Sequence, residues 1–526
     1  MGSVEMENKG EQEEVVGKGG ELLFCGPTAW AKVRVKGSRE GNLVTPTRFR
    51  SLMGINIRYV ASGCVSCHCV ALDMEGRCYI WGRNEKGQLG LGDTIQRDKP
   101  SVVSELSKHK IIRAGAGRSH TVVVTEDGLS LAFGWNKHGQ LGSGSIKNEV
   151  EPSPVQCLVS EAKTTACGGD FTLWLTPVEG ASILTAGLPQ YGQLGHGTDK
   201  EYNTKDSSVR LAYEAQPNPQ TIASVAEETI VKIDCGTNHT VAVDKTGYVY
   251  TLGHREQKDE WVPRRVDVFT KHNILPPDAI VSAGSVNSSC TAGGGQVYMC
   301  GKMKVSGDDW MYPKPLMDLR YNLPTWIVPF LQRLALNCMD SGNMHHFVGA
   351  DSSCISWGHA QSGELGYGPK GQKSSANPKK VEILEGMHVF SQFFRLVLLV
   401  DMPTPWWLWI ELMFADRLEQ LEVYDGKAGS EAVNEPDNGT YVPEKSTRKS
   451  SAKKSESFKK RKNSESESDS EDEENSDNES EGELNGQAKH RKISGGKATG
   501  ERRGPNTGGK GSGKRGRPGK SRASVS

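Results

Sequence analysis

Pairs of short apolar stretches, each pair joined through a turn that contains or adjoins Gly, recur along most of this chain. The first full copy, residues 59–82, reads YVASGCVSCHCVALDMEGRCYIWG, with the turn at Met74-Glu75-Gly76. Runs of this length and β-rich composition predict strands, and closure through Gly predicts a hairpin. Residues 111–134, 164–187 and 231–253 repeat the pattern, and 280–301 and 338–358 are weaker versions. Polar loops ending in Gly-Gln/Glu-Leu-Gly follow at 87–90, 139–142, 192–195 and 363–366, and Pro-Val-type segments return at 99–102, 152–155, 262–266 and 377–381.

A unit therefore holds about four short strands and repeats roughly every fifty residues, the range of repeat architectures. One such sheet cannot bury both its faces, whereas several arranged radially can. The expected fold is all-β: a seven-bladed β-propeller with a disordered C-terminal tail. Six units fall near 59–108, 109–160, 161–229, 230–279, 280–336 and 337–390. The strand-like segment ELLFCG at 21–26 has no first half of its own, so a seventh blade is expected from 21–58 with 391–414. Residues 1–20 are expected to be disordered, 415–424 a short helix, and 425–526 a disordered charged tail.

Composition sharpens this picture in three places. Much of the glycine (61 residues) recurs inside the units, where it serves turns. The 12 cysteines are scattered through the units, and the acidic, polar start MGSVEMENKGEQEEVV lacks the features of a secretory leader, so reduced thiols are expected. Formal net charge is +0, which conceals a tail of alternating acidic and basic blocks.

Candidate chemistry is sparse. Cys64, Cys67, His68 and Cys69 lack a second pair at metal-ligand spacing and read as a core strand, so neither metal nor cofactor is expected. His120 and His239, each in Gly-x-x-His-Thr, read as buried histidines bonded to neighbouring backbone. No catalytic triad, phosphate loop or zinc-protease stretch occurs, so no catalytic residue is assigned. The most apolar run, 396–415, contains Asp401, Pro403, Pro405 and Glu411 and makes a poor membrane span.

The units resemble the regulator of chromosome condensation repeat family. The residues that carry the resemblance are Cys235-Gly236-Thr237-Asn238-His239-Thr240, Trp81-Gly82 and Gly87-Gln88-Leu89-Gly90, over roughly residues 20–400. Residues 81–90, Tyr312-Pro313-Lys314 and 356–368 look like the family's second, mitosis-linked type. The resemblance implies a seven-bladed propeller that binds a small GTPase. At most it implies a guanine nucleotide exchange factor, which lowers nucleotide affinity by linkage without covalent chemistry. A non-exchanging chromatin or cytoskeletal scaffold, with microtubules among its partners, is the second reading. The third is a propeller like the plant ultraviolet-B photoreceptors. Those repeat Gly-Trp-Arg-His-Thr, whereas this chain has a single Gly134-Trp135-Asn136-Lys137-His138.

Three stretches depart from the repeat. After Tyr250, Leu252-Gly253-His254 leaves no room for the polar loop, which predicts an imperfect fourth blade. An apolar, Pro-containing stretch at 320–337 fits no repeat position. At 396–414 LVLLVDMPTPWWLWIELMF replaces an expected Gly-x-x-His strand. With one choice of codons, a shifted frame there reads SVACGYAHSMVVVDRTNV and restores the motif. The expectation is a splice variant or faulty gene model with an incomplete fourth blade and a poorly closed ring.

Long charged loops on a rigid scaffold are candidate partner surfaces: Lys205, Asp206 and Arg210 in one, Arg255, Lys258, Arg264 and Arg265 in another. In the tail, Lys459, Lys460, Arg461 and Lys462 form a nuclear-import-type cluster. Ser464, Ser466, Ser468 and Ser470 lie among acids as acidophilic kinases prefer, and Ser494 follows basic residues. Arg515, Gly516, Arg517 and Pro518 resemble an AT-hook core, which lies in the minor groove of A·T-rich DNA. Together these predict a nuclear protein, also present in the cytoplasm, that contacts chromatin and no membrane.

Overall fold

The computed structural model describes residues 19–28, 42–203, 211–253, 259–270, 272–293, 296–302, 310–317, 336–342, 344–350, 353–387, 389–393, 397–401 and 421–425. They form a seven-bladed β-propeller. Blade one consists of Ile57–Ala61, His68–Asp73, Cys78–Gly82 and Arg97–Val102, paired antiparallel from the centre outward. Blade two runs Ile111–Ala116, His120–Thr125, Ser130–Trp135 and Val150–Gln156, and blade three Thr164–Cys167, Phe171–Leu175, Ile183–Gly187 and Gln216–Thr221. Blades four to six follow the same order, starting at Ile230–Cys235, Val281–Ala283 and Leu336–Ser341.

Blade seven is assembled from both ends of the ordered chain. Val389–Phe393 and Val397–Asp401 supply its inner strands, and Gly20–Pro27 and Asn42–Phe49 its outer ones. The ladder between Gly20–Pro27 and Val397–Asp401 runs from Gly20 opposite Asp401 to Phe24 opposite Val397.

The core is divided among the seams. Seven apolar clusters each join two consecutive blades, for example Val70, Leu72, Val123 and Phe133 between blades one and two, and Val122, Val124 and Trp174 between two and three. This explains why second strands read as continuous apolar runs. In His120–Thr125 every residue is buried, because alternate side chains point into opposite seams. Each aromatic-Gly step marks the point where the third strand closes on the second. Gly82 has φ +118, and a Cβ there would meet His68 Cα at 2.6 Å.

Several expectations need correction. Blade four is not missing a strand end: Val249–Gly253 pairs with Glu260–Arg265, Gly253 opposite Glu260 and Thr251 opposite Arg264. The step in register equals that of blade one, where Gly82 faces Arg97 and Ile80 faces Ser101, so the ladder forms without the long polar loop. The closing strand is also present: Val397–Asp401 pairs on both sides, while 402–414 lie outside the described residues. The expected helix at 415–424 is not what its described part forms. Residues 415–420 lie outside the described set, and Val423–Tyr424 is a strand parallel to Asn42–Phe49. Tertiary contacts override local preference here, with the Tyr424 ring 5.8 Å from Phe49 and Leu421 buried. No helix among the described residues is long and apolar enough to cross a membrane.

Candidate interaction surface

Antiparallel pairing places two kinds of loop at one end of every blade: the turn between strands one and two, and the loop between strands three and four. A repeated polar lock builds this loop face. His68 Nε2 lies 2.7 Å from Thr121 Oγ1, and that hydroxyl donates to the Gln88 carbonyl at 2.8 Å. A hydroxyl has one proton, so when it is spent on Gln88 the histidine must carry its own on Nε2. His120, Thr172 and the Gln140 carbonyl repeat this at 2.9 and 2.7 Å. Burial holds His120 neutral by lowering its pKa to about 3. Each ring thus meets a hydroxyl on the next blade, and His120 also bonds the backbone of Phe171, as the sequence predicts. The Gln side chain caps its own loop: Gln88 Oε1 accepts from Lys86 N, Gln140 Oε1 from His138 N and Gln193 Oε1 from Tyr191 N.

Loops of the first type link into a belt round the axis. Arg118 N donates to Gly169 O, Gly169 N to Thr237 O, and Ser285 N to Gly342 O, while the Thr237 and Ser285 hydroxyls lie 2.7 Å apart. Cys64 reaches across from blade one, its thiol donating to Cys235 O of blade four at 3.8 Å. Burial raises the pKa of this thiol, keeping it protonated. Below it lies a central cavity of about 320 Å³ lined by inner strands, including Asp234 and Asp340. Burial, and then the charge of Asp234, push the Asp340 carboxyl up to about 8; burial raises Asp234 to about 6. Asp340 Oδ1 accepts from the Ser282 hydroxyl and Ser341 N, and Asp234 from Ala283 N and Cys235 N. His68, Cys69 and Cys64 thus face different partners: Thr121, Ser62 and Cys235.

On the loop face of blades one to three, variable loop positions converge. Lys86 Nζ sits 5.5 Å from the Trp135 ring centroid, and the His138 ring meets Trp135 edge-on at 5.4 Å. Trp135 Nε1 donates to Glu149 Oε1 at 3.0 Å. Arg118 Nε lies 3.6 Å from Asp170 Oδ2. Burial lowers the His138 pKa, and the Asp170 charge opposes that shift. Arg83 of blade one pairs with Glu85 at 3.0 Å. The patch combines Trp and Arg with mixed charge, the composition of an interaction hot spot. Trp81 and Trp174 are instead buried in separate seams.

The sequence-predicted partner residues are not brought together in this patch. Lys205, Asp206, Arg210, Arg255 and Lys258 lie outside the described residues. Arg264 and Arg265 sit on the outer strand of blade four, where Arg264 pairs with Glu260 at 3.2 Å and Arg265 stacks on Tyr248. The import cluster at 459–462, the phospho-candidates and the 515–518 core are likewise outside the described set. Lys86, Arg118 and Asp170 lie in short turns and Trp135 ends a strand, so loop length does not mark them in the sequence. Their signal was subtler: they occupy the slots in which otherwise similar repeats differ.

Comparison with known proteins gives a consistent result. The family model described as "Regulator of chromosome condensation (RCC1) repeat" matches residues 75–124, 127–175 and 182–243. Over 401 residues the chain is 35% identical to "Protein RCC2 homolog" of Xenopus laevis, covering 70% of this chain and 74% of that protein. It is 34% identical over 405 residues to "Protein RCC2" of Homo sapiens, covering 71% and 74%. Among solved structures, Prp20p of Saccharomyces cerevisiae superposes with a TM-score of 0.55 at 17% identity, covering 77% of this chain and 96% of that one. At that identity the likeness concerns the fold.

Proposed function

The chain belongs to the regulator of chromosome condensation repeat family, among the relatives of RCC2, and from that premise we propose that it is a non-enzymatic propeller which binds a small GTPase through the loop face of blades one to three. The observation that carries this reading is the pair of side-chain groups on that face, Lys86–Trp135–His138 and Arg118–Asp170. Prp20p, the yeast propeller of like fold, was described with binding properties to Gsp1p and histones, which supports GTPase and chromatin partners for this chain. Exchange would follow by linkage: a propeller that prefers the nucleotide-free GTPase lowers nucleotide affinity by the same factor. The acting region is nuclear in this reading, with Lys459–Lys462 (import) and Arg515–Pro518 (A·T-rich DNA) in supporting roles.

Nucleotide release from a panel of small GTPases, measured with the full chain and with Trp135→Ala and Arg118→Glu variants, tests the proposal. Acceleration by the wild type that falls at least tenfold in both variants is expected. Binding of a GTPase without acceleration would establish the scaffold in place of the exchange factor. Absence of binding to every member would remove the GTPase reading.

A further inference from the structure

Each fourth strand carries proline, which blunts an exposed sheet edge: Pro100, Pro152, Pro217, Pro263, Pro313, Pro378 and, in blade seven, Pro46. Beyond Pro46 the edge of blade seven is not left bare. Val423–Tyr424 runs parallel to it, Val423 opposite Arg48 and Tyr424 opposite Phe49, and Arg48 N donates to Glu422 O at 2.9 Å. The side chains flanking this pairing are anchored at two seams. Leu421, 4% exposed, packs in the cluster between blades six and seven, with Leu23 and Phe347. Tyr424 packs against the cluster between blades seven and one, its ring 5.8 Å from Phe49. The Thr45 hydroxyl donates to Glu422 Oε2 at 3.3 Å, and Arg50 pairs with Asp425.

We propose that this edge is a peptide-binding site for a short extended segment bearing an aliphatic residue, a tyrosine three positions later and an acid beside it. Residues 421–425 occupy it in cis. Main-chain pairing with pockets for spaced side chains is the mode by which sheet edges take peptides. Two paired residues and two apolar anchors form a small contact, one that holds because the segment is tethered and its effective concentration is high. The site spans both seams of blade seven, whose inner strands (389–401) and outer strands (20–49) come from opposite ends of the ordered chain. Its occupant therefore fastens the ring, and a protein displaying the same pattern competes for that position.

The test uses the full-length chain carrying Leu421→Ala and Tyr424→Ala together, with a fluorescein-labelled peptide of sequence EQLEVYDGK (residues 419–427) as probe. The variant is expected to bind the peptide at least tenfold more tightly than wild type, and a peptide with serine at the Leu and Tyr positions is expected to be inert. Equal binding to variant and wild type, or no binding to a variant that melts as a folded protein, overturns the proposal. Should the double variant not fold, Tyr424→Ser is read by hydrogen exchange. The Arg48 amide should exchange at least tenfold faster and regain protection when the peptide is added; unchanged exchange overturns the site.

Discussion

Asp340 lies in the central cavity with its Oδ1 already bonded to Ser282 and Ser341, so its charge gains no counterion from those contacts. Burial and Asp234 raise its pKa to about 8, above the roughly 3.9 of an unfolded aspartate. The folded state then binds more protons than the unfolded one between those values, so this group makes stability fall as pH rises through that window. Asp340→Asn keeps the accepting oxygen and cannot ionise. Thermal melts should show the variant gaining on wild type from about pH 4 to pH 8, with the gap level above that. A gap independent of pH would count against the assignment. At Thr121 the hydroxyl serves two blades at once. Thr121→Val keeps the shape and removes the hydroxyl from His68 Nε2 and the Gln88 carbonyl, which should cost about 1–3 kcal/mol in urea unfolding. Neither effect is visible in the sequence, where Asp340 is one acid among many and Thr121 merely follows a histidine.

At the scale of elements, the Gly-Gln-Leu-Gly loop was legible as a turn; its partner was not. Gly87 has φ +71, and a Cβ there would meet Pro152 Cα of blade two at 2.7 Å. Gly87→Ala should therefore lower stability by at least about 1 kcal/mol, from backbone strain and contact with a rigid neighbour. A melt equal to wild type would show that the loop can shift. The family repeat at 75–124 begins in the hairpin of blade one and ends in the second strand of blade two. Gln88 and Thr121 thus belong to one sequence repeat and two structural blades, and each repeat ties neighbouring blades covalently as well as by packing. Period-two and continuous apolar patterns revealed strands readily. The patch at Lys86, Arg118, Trp135 and Asp170 escaped because adjacency between loops of different blades has no signature along the chain.

For the whole molecule, closure of the ring is decisive. Phe24 is fully buried, 5.3 Å from the Phe49 ring, in the seam that joins blade seven to blade one. Phe24→Ala should cost about 3–5 kcal/mol, the range for large aromatic truncations in a core. Circular dichroism melts should show one transition at lower temperature, because every seam depends on its neighbours; a separate early transition would mean that blade seven opens alone. The sequence by itself determined the repeat, the strand content and the blade count, because hydrophobic periodicity and turn glycines act over a few residues. Tertiary structure decided that blade four is complete, that Val397–Asp401 closes the ring, and that Val423–Tyr424 is a strand on its edge. Blade four rests on a ladder that forms across a short connection. The other two outcomes depend on pairing partners hundreds of residues away, and a short segment takes the conformation that its partners can satisfy.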